Sequence, residues 1–257
     1  MSRLRASLRL VSFLLWSACL FVTYQLSRPL GWLWSQRHYR VQTFLCGLWA
    51  RGVATIIGLR ISVTGNAPRA PFILVSNHLG YVDIITLMSQ TPGVFVSRAD
   101  VAGWPVLGVL ARAANTIFID RSLRRDVARV NTLIRDVLAS GRGLLMFPEG
   151  TSSGGDTVLP FRSSLLEPAV QNKQAVSFAS LSYSTPAGAA PASEAVCWWG
   201  EMTFLDHFMG LLGLTSVNAT VHFGEEPLTA ATRHELAARL HESITSLRQT
   251  QPSTTLL

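Results

Sequence analysis

From Leu59 onward the chain alternates short apolar runs with amphipathic segments, and this rhythm narrows its possible folds more than any other feature. Phe72-Ile-Leu-Val-Ser76, Val94-Phe-Val96, Thr116-Ile-Phe-Ile119 and Gly143-Leu-Leu-Met-Phe147 each read as a short buried strand. Between the last two, Arg121 to Ser140 sets Val127, Val130, Ile134, Val137 and Leu138 at three- and four-residue steps. That is an amphipathic helix, and Gly141 stops it. Strand, helix, strand in this order predicts a parallel or mixed sheet with right-handed crossovers. Beyond Gln174 two more strands are expected, 176–183 and 217–223. A last helix over roughly 231–247 has Leu236, Leu240, Ile244 and Leu247 on one face. Residues 184–195 read as a loop. The expected class is α/β, a mixed and mostly parallel sheet flanked by helices.

The first 58 residues follow another pattern. An apolar run from Leu10 to Leu26, read as a helix, rises about 25 Å, short of the roughly 30 Å of a bilayer's hydrocarbon core. A tight span, an interfacial helix and a signal sequence all fit that length, but no small-residue cleavage site follows; Ser27-Arg28-Pro29 stands there instead. A second run, Val41 to Ile57, has Arg51 at its middle, where a guanidinium at bilayer centre costs roughly 3 kcal/mol or more. It is therefore expected along the interface. Trp32, Trp34 and Trp49, with Arg28, Arg37 and Arg40, are expected to form a belt at headgroup level. The organisation predicted is a membrane-anchoring helical hairpin over 1–58 and a catalytic domain over 59–257, at the cytoplasmic face of the inner membrane.

Composition agrees with a membrane surface. Charged residues are 14% of the chain against 48% hydrophobic, and the net charge is +7. Lys173 is the only lysine, so the charge is nearly all guanidinium, suited to phosphate and carboxylate. Charge alone is poor evidence for nucleic-acid binding, and no Gly-rich mononucleotide loop is present. Cys19, Cys46 and Cys197 lie far apart, with neither metal spacing nor a disulfide framework. No metal site is expected, and His234 and His241 are placed on a solvated helix face.

Three strand ends hold the chemistry. The strand 72–76 runs into Asn77-His78-Leu79-Gly80-Tyr81-Val82-Asp83. A regular helix would separate His78 and Asp83 by about 140°, yet they can meet if the His sits on a turn that Gly80 eases and the Asp lies in the next helix. A carboxylate on one ring nitrogen sets the tautomer and frees the other to take a proton. No Cys or Ser stands beside the pair, so the nucleophile expected is the substrate's own hydroxyl. The second end, Asp120-Arg121, offers either a grip for an anionic headgroup or a local ion pair. The third, Phe147-Pro148-Glu149-Gly150-Thr151-Ser152, puts a carboxylate at a tip where glycines let backbone N–H groups turn toward a bound oxygen.

Together these segments resemble the glycerolipid acyltransferase family, typified by bacterial lysophosphatidic acid acyltransferases, over about residues 60–228. Asn-His with an Asp five residues after the His matches at 77–83, an apolar strand ending in Arg at 118–121, and Phe-Pro-Glu-Gly-Thr at 147–151. The resemblance implies that His78 deprotonates an acceptor hydroxyl that attacks a thioester, with Asp83 orienting the His. It implies acceptor binding by Asn77, Arg121, Glu149, Gly150 and Thr151. Acyl carrier protein or coenzyme A would carry the acyl group, with no resident cofactor. Two departures bear on the acceptor. Ser152 stands where many lysophosphatidate enzymes have a phosphate-binding Arg, and Gln174-Ala-Val-Ser-Phe-Ala-Ser replaces a proline-rich strand. Thr151-Ser-Ser, Val158-Leu-Pro-Phe-Arg162 and Trp198-Trp-Gly-Glu-Met202 are similar to the branch acylating lyso-ornithine lipids, so lyso-ornithine lipid is the expected acceptor and lysophosphatidate the alternative. Residues 150–154 also fit Gly-x-Ser-x-Gly, the serine hydrolase elbow, which needs a helix directly after Ser152 that Gly154-Gly155-Asp156 would break.

Overall fold

A computed structural model of the chain describes residues 2–33, 35–104, 107–120 and 124–249. Helices α1 (Ser2–Leu33) and α2 (Ser35–Ile57) precede β1 (Leu59–Thr64), β2 (Phe72–Ser76), α3 (Val82–Gln90) and β3 (Val94–Arg98). Then come α4 (Leu107–Ala113), β4 (Ile117–Ile119), α5 (Arg124–Ala139), β5 (Gly143–Met146) and α6 (Glu167–Gln171). The chain continues through β6 (Val176–Ser184), α7 (Ala192–Ala195), α8 (Phe204–Gly213), β7 (Val217–Phe223) and α9 (Arg233–Gln249).

The strands form one sheet in the order β1-β7-β6-β2-β5-β3-β4. Every pair is parallel except β6 with β7, which run antiparallel. Side chains alternate across each strand, and this divides the core into two layers. Ile73 and Val75 of β2, with Leu144 and Met146 of β5, meet Val130, Ile134 and Val137 of α5 and Leu236, Leu240 and Ile244 of α9. Phe72, Leu74, Leu145 and Phe147 point to the other face, where Ala50, Leu87 and Met88 of α2 and α3 cover them. The continuous apolar runs in the sequence are the result of this two-sided burial.

Several expectations need adjustment. Part of the loop over 184–195 is helical, since Ala192–Ala195 forms α7. The helix expected from Arg121 is described from Arg124. His241 is half-buried, its Nε2 3.1 Å from the Val158 carbonyl, whereas His234 is exposed. Trp49 does not face a headgroup layer: its Nε1 donates to Ser17 Oγ at 3.0 Å, packing α2 on α1. The side chains of Trp32 and Arg37, and all of Trp34, lie outside the described residues. Helix α2 is docked rather than loose, because Val53 and Ile57 are fully buried and Arg51 Nε donates to the Ser89 carbonyl at the end of α3.

Candidate active site

Strands β2 and β5 are neighbours and parallel, but the chain leaves them in opposite directions, β2 toward β3 and β5 toward β6. Such a divergence opens a crevice at the carboxyl ends, where α/β sheets bind ligands. His78 and Glu149 both stand there, one past each strand.

Past Ser76 the chain turns and α3 begins at Val82, so Asp83 lies in its first turn. Gly80 makes this possible. Its φ is +150°, and a Cβ there would come within 2.8 Å of the Trp198 backbone nitrogen. The turn brings His78 Nδ1 to 2.7 Å from Asp83 Oδ2. The same oxygen accepts the backbone N–H groups of Leu79 and Gly80, and Oδ1 accepts the Tyr183 hydroxyl at 2.8 Å. A carboxylate with no solvent exposure is costly unless its lone pairs are filled, and these donors fill them. Burial pushes the Tyr183 hydroxyl well above its ordinary pKa, so it remains a donor. An ionised carboxylate only accepts, so Nδ1 carries the proton. Nε2 is then the basic nitrogen, on a side chain that is 22% exposed. Phe147 stacks beneath the ring at 4.1 Å with planes 10° apart, fixing its orientation.

Glu149 reaches the same turn, its Oε1 accepting the His78 backbone N–H at 3.2 Å. It is buried, and Oε2 has no hydrogen-bond partner. Burial pushes its carboxyl up to about 8, with the nearby Asp83 charge adding to the rise and the backbone N–H groups of His78 and Leu159, then Arg248, opposing it. Gly150 follows at φ +75°, closing a turn in which its N–H donates to the Phe147 carbonyl. Thr151 is exposed beside it.

Asn77 has a different place from its neighbours. It is buried, its Nδ2 donates to the Leu181 carbonyl at 3.0 Å, and its Oδ1 accepts the Leu181 N–H at 2.7 Å. The amide is thereby spent on tying the β2 end to β6. Arg121 lies outside the described residues; it follows β4, whose next residue Asp120 donates its N–H to Asp126 Oδ2 at 2.6 Å. Ser152 Oγ donates to the Trp198 carbonyl at 2.6 Å, and no helix follows it, so the hydrolase elbow is not formed.

Two residues escaped the sequence. Tyr183 meets Asp83 across 100 positions, a pairing that no local spacing announces. Arg248, at the end of α9, holds Nη1 buried without a partner, and its Nη2 is 3.4 Å from where a Cβ on Gly155 would stand. Among the described residues no group of three or more His, Cys, Asp and Glu is placed to hold a metal.

Comparison with known proteins gives this geometry its family. A family model described as Acyltransferase matches residues 60–184, which include all three strand ends. A lyso-ornithine lipid O-acyltransferase of Rhodobacter capsulatus is 34% identical over 198 residues, 74% of this chain and 71% of that protein. One from Brucella abortus is 31% identical over 75% of this chain and 77% of its own. A 1-acyl-sn-glycerol-3-phosphate acyltransferase of Neisseria meningitidis is 28% identical over 76% of each. The crystal structure of the 1-acyl-sn-glycerophosphate acyltransferase of Thermotoga maritima shares the fold, with a TM-score of 0.68, 18% identity and 97% of both chains covered. By sequence across most of two relatives, and by the family model over its motif-bearing strands, the chain belongs to the acyltransferase family.

Proposed function

We propose that the protein moves a fatty acyl chain from a thioester carrier to the hydroxyl of a lysolipid, with His78 as general base. The observation that carries this is the half-open imidazole, its Nδ1 held by buried Asp83 and its Nε2 left toward the crevice. The acceptor hydroxyl gives its proton to Nε2 as its oxygen attacks the thioester carbonyl carbon. The tetrahedral intermediate collapses, the C–S bond breaks, and the imidazolium returns the proton to the departing sulfur. Asp83 stabilises the imidazolium and keeps the tautomer. Glu149, Gly150 and Thr151 bind the acceptor from the β5 side and Arg121 from the β4 side. Asn77 acts at one remove, as a positioning residue for the turn that holds His78. The acyl donor is acyl carrier protein or coenzyme A, both thioesters and both chemically sufficient.

The acceptor we assign is lyso-ornithine lipid. Relatives bearing that activity in their names are 34% and 31% identical to this chain, and Ser152 removes a cation that a phosphomonoester would require.

The site works at a membrane surface. Leu4, Leu8, Val11, Leu15, Val22 and Leu26 are all exposed on α1. At about 100° per residue they fall within roughly 60° of one another, a stripe about 33 Å long. Among the described residues one helix, Ser2–Pro29, is long and apolar enough to cross a membrane. Its first turns are engaged elsewhere: Arg5 donates to the Gly213 carbonyl and Arg9 to those of Leu212 and Leu214, while Ala6 and Phe13 are buried in the core. Crossing would break all of these contacts, which supports the reading that α1 lies along the membrane surface with its stripe in the interface; the side we propose is the cytoplasmic face of the inner membrane.

The test is acyl transfer by purified enzyme. His78→Ala should lower turnover by roughly 10²–10⁴ with the fold intact by circular dichroism. Near-normal transfer by that variant would sink the mechanism.

A further inference from the structure

A groove of about 310 Å³ opens at the end of the sheet opposite the active site. Arg40, Phe44 and Arg51 of α2 form one wall, and Pro92, Arg142 and Gly143, at the entries to β3 and β5, form the other. Gly143 starts β5 and Phe147 underlies His78, so about 13 Å of strand separates the groove from the catalytic ring.

Among the described residues that line it, the groove holds three guanidinium groups and no carboxylate. None of the three takes part in an ion pair among the described residues. Arg51 is held by its Nε bond to the Ser89 carbonyl. Arg142 is held by its Nε bond to Ser140 Oγ at 2.8 Å and by stacking 4.0 Å over the Tyr39 ring. Arg51 and Arg142 are thus held in place, and an anion entering the groove meets these two fixed guanidinium groups and the exposed Arg40 beside them. Phe44, on the same wall, is 61% exposed. An aromatic ring in water beside unpaired arginines is the pattern of a helix at the headgroup boundary.

We propose that this groove binds the phosphate of an anionic phospholipid, as a membrane-docking site distinct from the acceptor site. The proposal rests on the reading that α1 lies in the membrane interface. An acidic carrier protein is the other occupant the charge would suit. The exposed Phe44 favours lipid, and so does the distance from His78, because a carrier seated here would hold its thioester at the wrong end of the sheet.

The experiment is co-sedimentation of the full chain with vesicles of phosphatidylcholine alone and of phosphatidylcholine mixed with phosphatidylglycerol. Wild type should bind both and the mixture more tightly. Arg40→Gln/Arg51→Gln/Arg142→Gln should bind phosphatidylcholine as wild type does and lose most of the gain, about fivefold per guanidinium. The charge-matched Arg60→Gln/Arg135→Gln/Arg239→Gln should keep most of it. Arg40 is exposed and makes no bond among the described residues, so Arg40→Glu leaves the fold untouched and should by itself weaken binding to the mixture alone. An equal loss in the charge-matched variant, or an unchanged gain in Arg40→Glu and the triple variant, overturns the groove while leaving the hairpin's role standing. Loss of acyl carrier protein binding by the triple variant, with its vesicle binding unchanged, assigns the groove to the carrier and overturns the lipid. A wild type that ignores phosphatidylcholine vesicles overturns the apolar anchoring, and with it the docking site that rests on it.

Discussion

At the scale of single residues the site gives two buried carboxyl groups opposite surroundings. Asp83 accepts two backbone N–H groups, the His78 ring and the Tyr183 hydroxyl, so every lone pair it turns inward is used. Glu149 is also buried but has an empty Oε2, and burial raises it to about 8 from an ordinary 4.5. At neutral pH it therefore carries a proton and can donate to a bound oxygen. The consequence for stability has a definite sign. Below pH about 4.5 folded and unfolded chains are both protonated at this carboxyl. Between 4.5 and 8 only the unfolded chain releases the proton, so rising pH favours unfolding across that window and no further above it. Gln mimics the protonated acid, accepting and donating from the same positions. Wild type should lose kcat/KM above pH about 8 as Glu149 ionises, and Glu149→Gln should keep most acyl transfer near neutrality and lack that fall. Its thermal midpoint should also decline less than that of wild type between mildly acidic and alkaline buffer. An alkaline limb identical in both enzymes would assign that limb to another group.

At the scale of elements, the hairpin and the sheet cannot be treated as detachable parts. Val53 and Ile57 of α2 are wholly buried, as is Ala50, and Arg5 and Arg9 cap the carbonyls at the end of α8. Each large side chain removed from such a core costs about 1.5–3 kcal/mol, and a domain has only about 5–15 kcal/mol in all. Truncation before Ile61 should therefore yield insoluble protein, not a soluble catalytic domain. The informative change is on the exposed stripe. Leu8 and Leu15 are 61% and 67% exposed, so Leu8→Asp/Leu15→Asp should leave the melting temperature nearly unchanged. Its vesicle binding should fall by at least tenfold, since each leucine withdrawn from an apolar phase is worth about 1.5–3 kcal/mol. Tight membrane association by this variant would transfer the anchoring to another surface.

At the scale of the whole molecule, the sheet order decides which motif ends can act together. The ends of β2 and β5 are adjacent, and β4 stands beyond β3 at the sheet edge. Charge-assisted bonds are worth about 1.5–3 kcal/mol each, so an enzyme for a phosphomonoester loses much by having Ser152 where a second arginine would stand. Purified enzyme offered lyso-ornithine lipid and lysophosphatidate, with one acyl carrier protein donor, should favour the first. Arg121→Ala should weaken that acceptor's use mainly through KM. A preference for lysophosphatidate that survives Arg121→Ala contradicts both the acceptor and the role of Arg121.

The sequence by itself determined most of the strands, the two long helices, and the three strand ends that carry the candidate residues. Those features are local: apolar runs of strand length, helical spacing, and glycine and proline at the turns. It also held the condition under which His78 and Asp83 meet, since the bend at Gly80 and the helix after it are written within a few residues. The tertiary structure alone decided what crosses the chain. Tyr183 reaches Asp83, Asn77 is occupied by Leu181, and Ser152 is occupied by the Trp198 carbonyl. It also turned Trp49 inward toward α1 and bound α2 to the core. These outcomes depend on which strands lie side by side and in which direction they run. Strand β7, parallel to β1 on one side and antiparallel to β6 on the other, shows why composition and periodicity cannot supply them: a strand's pattern records which of its faces are buried, and says nothing of its neighbours.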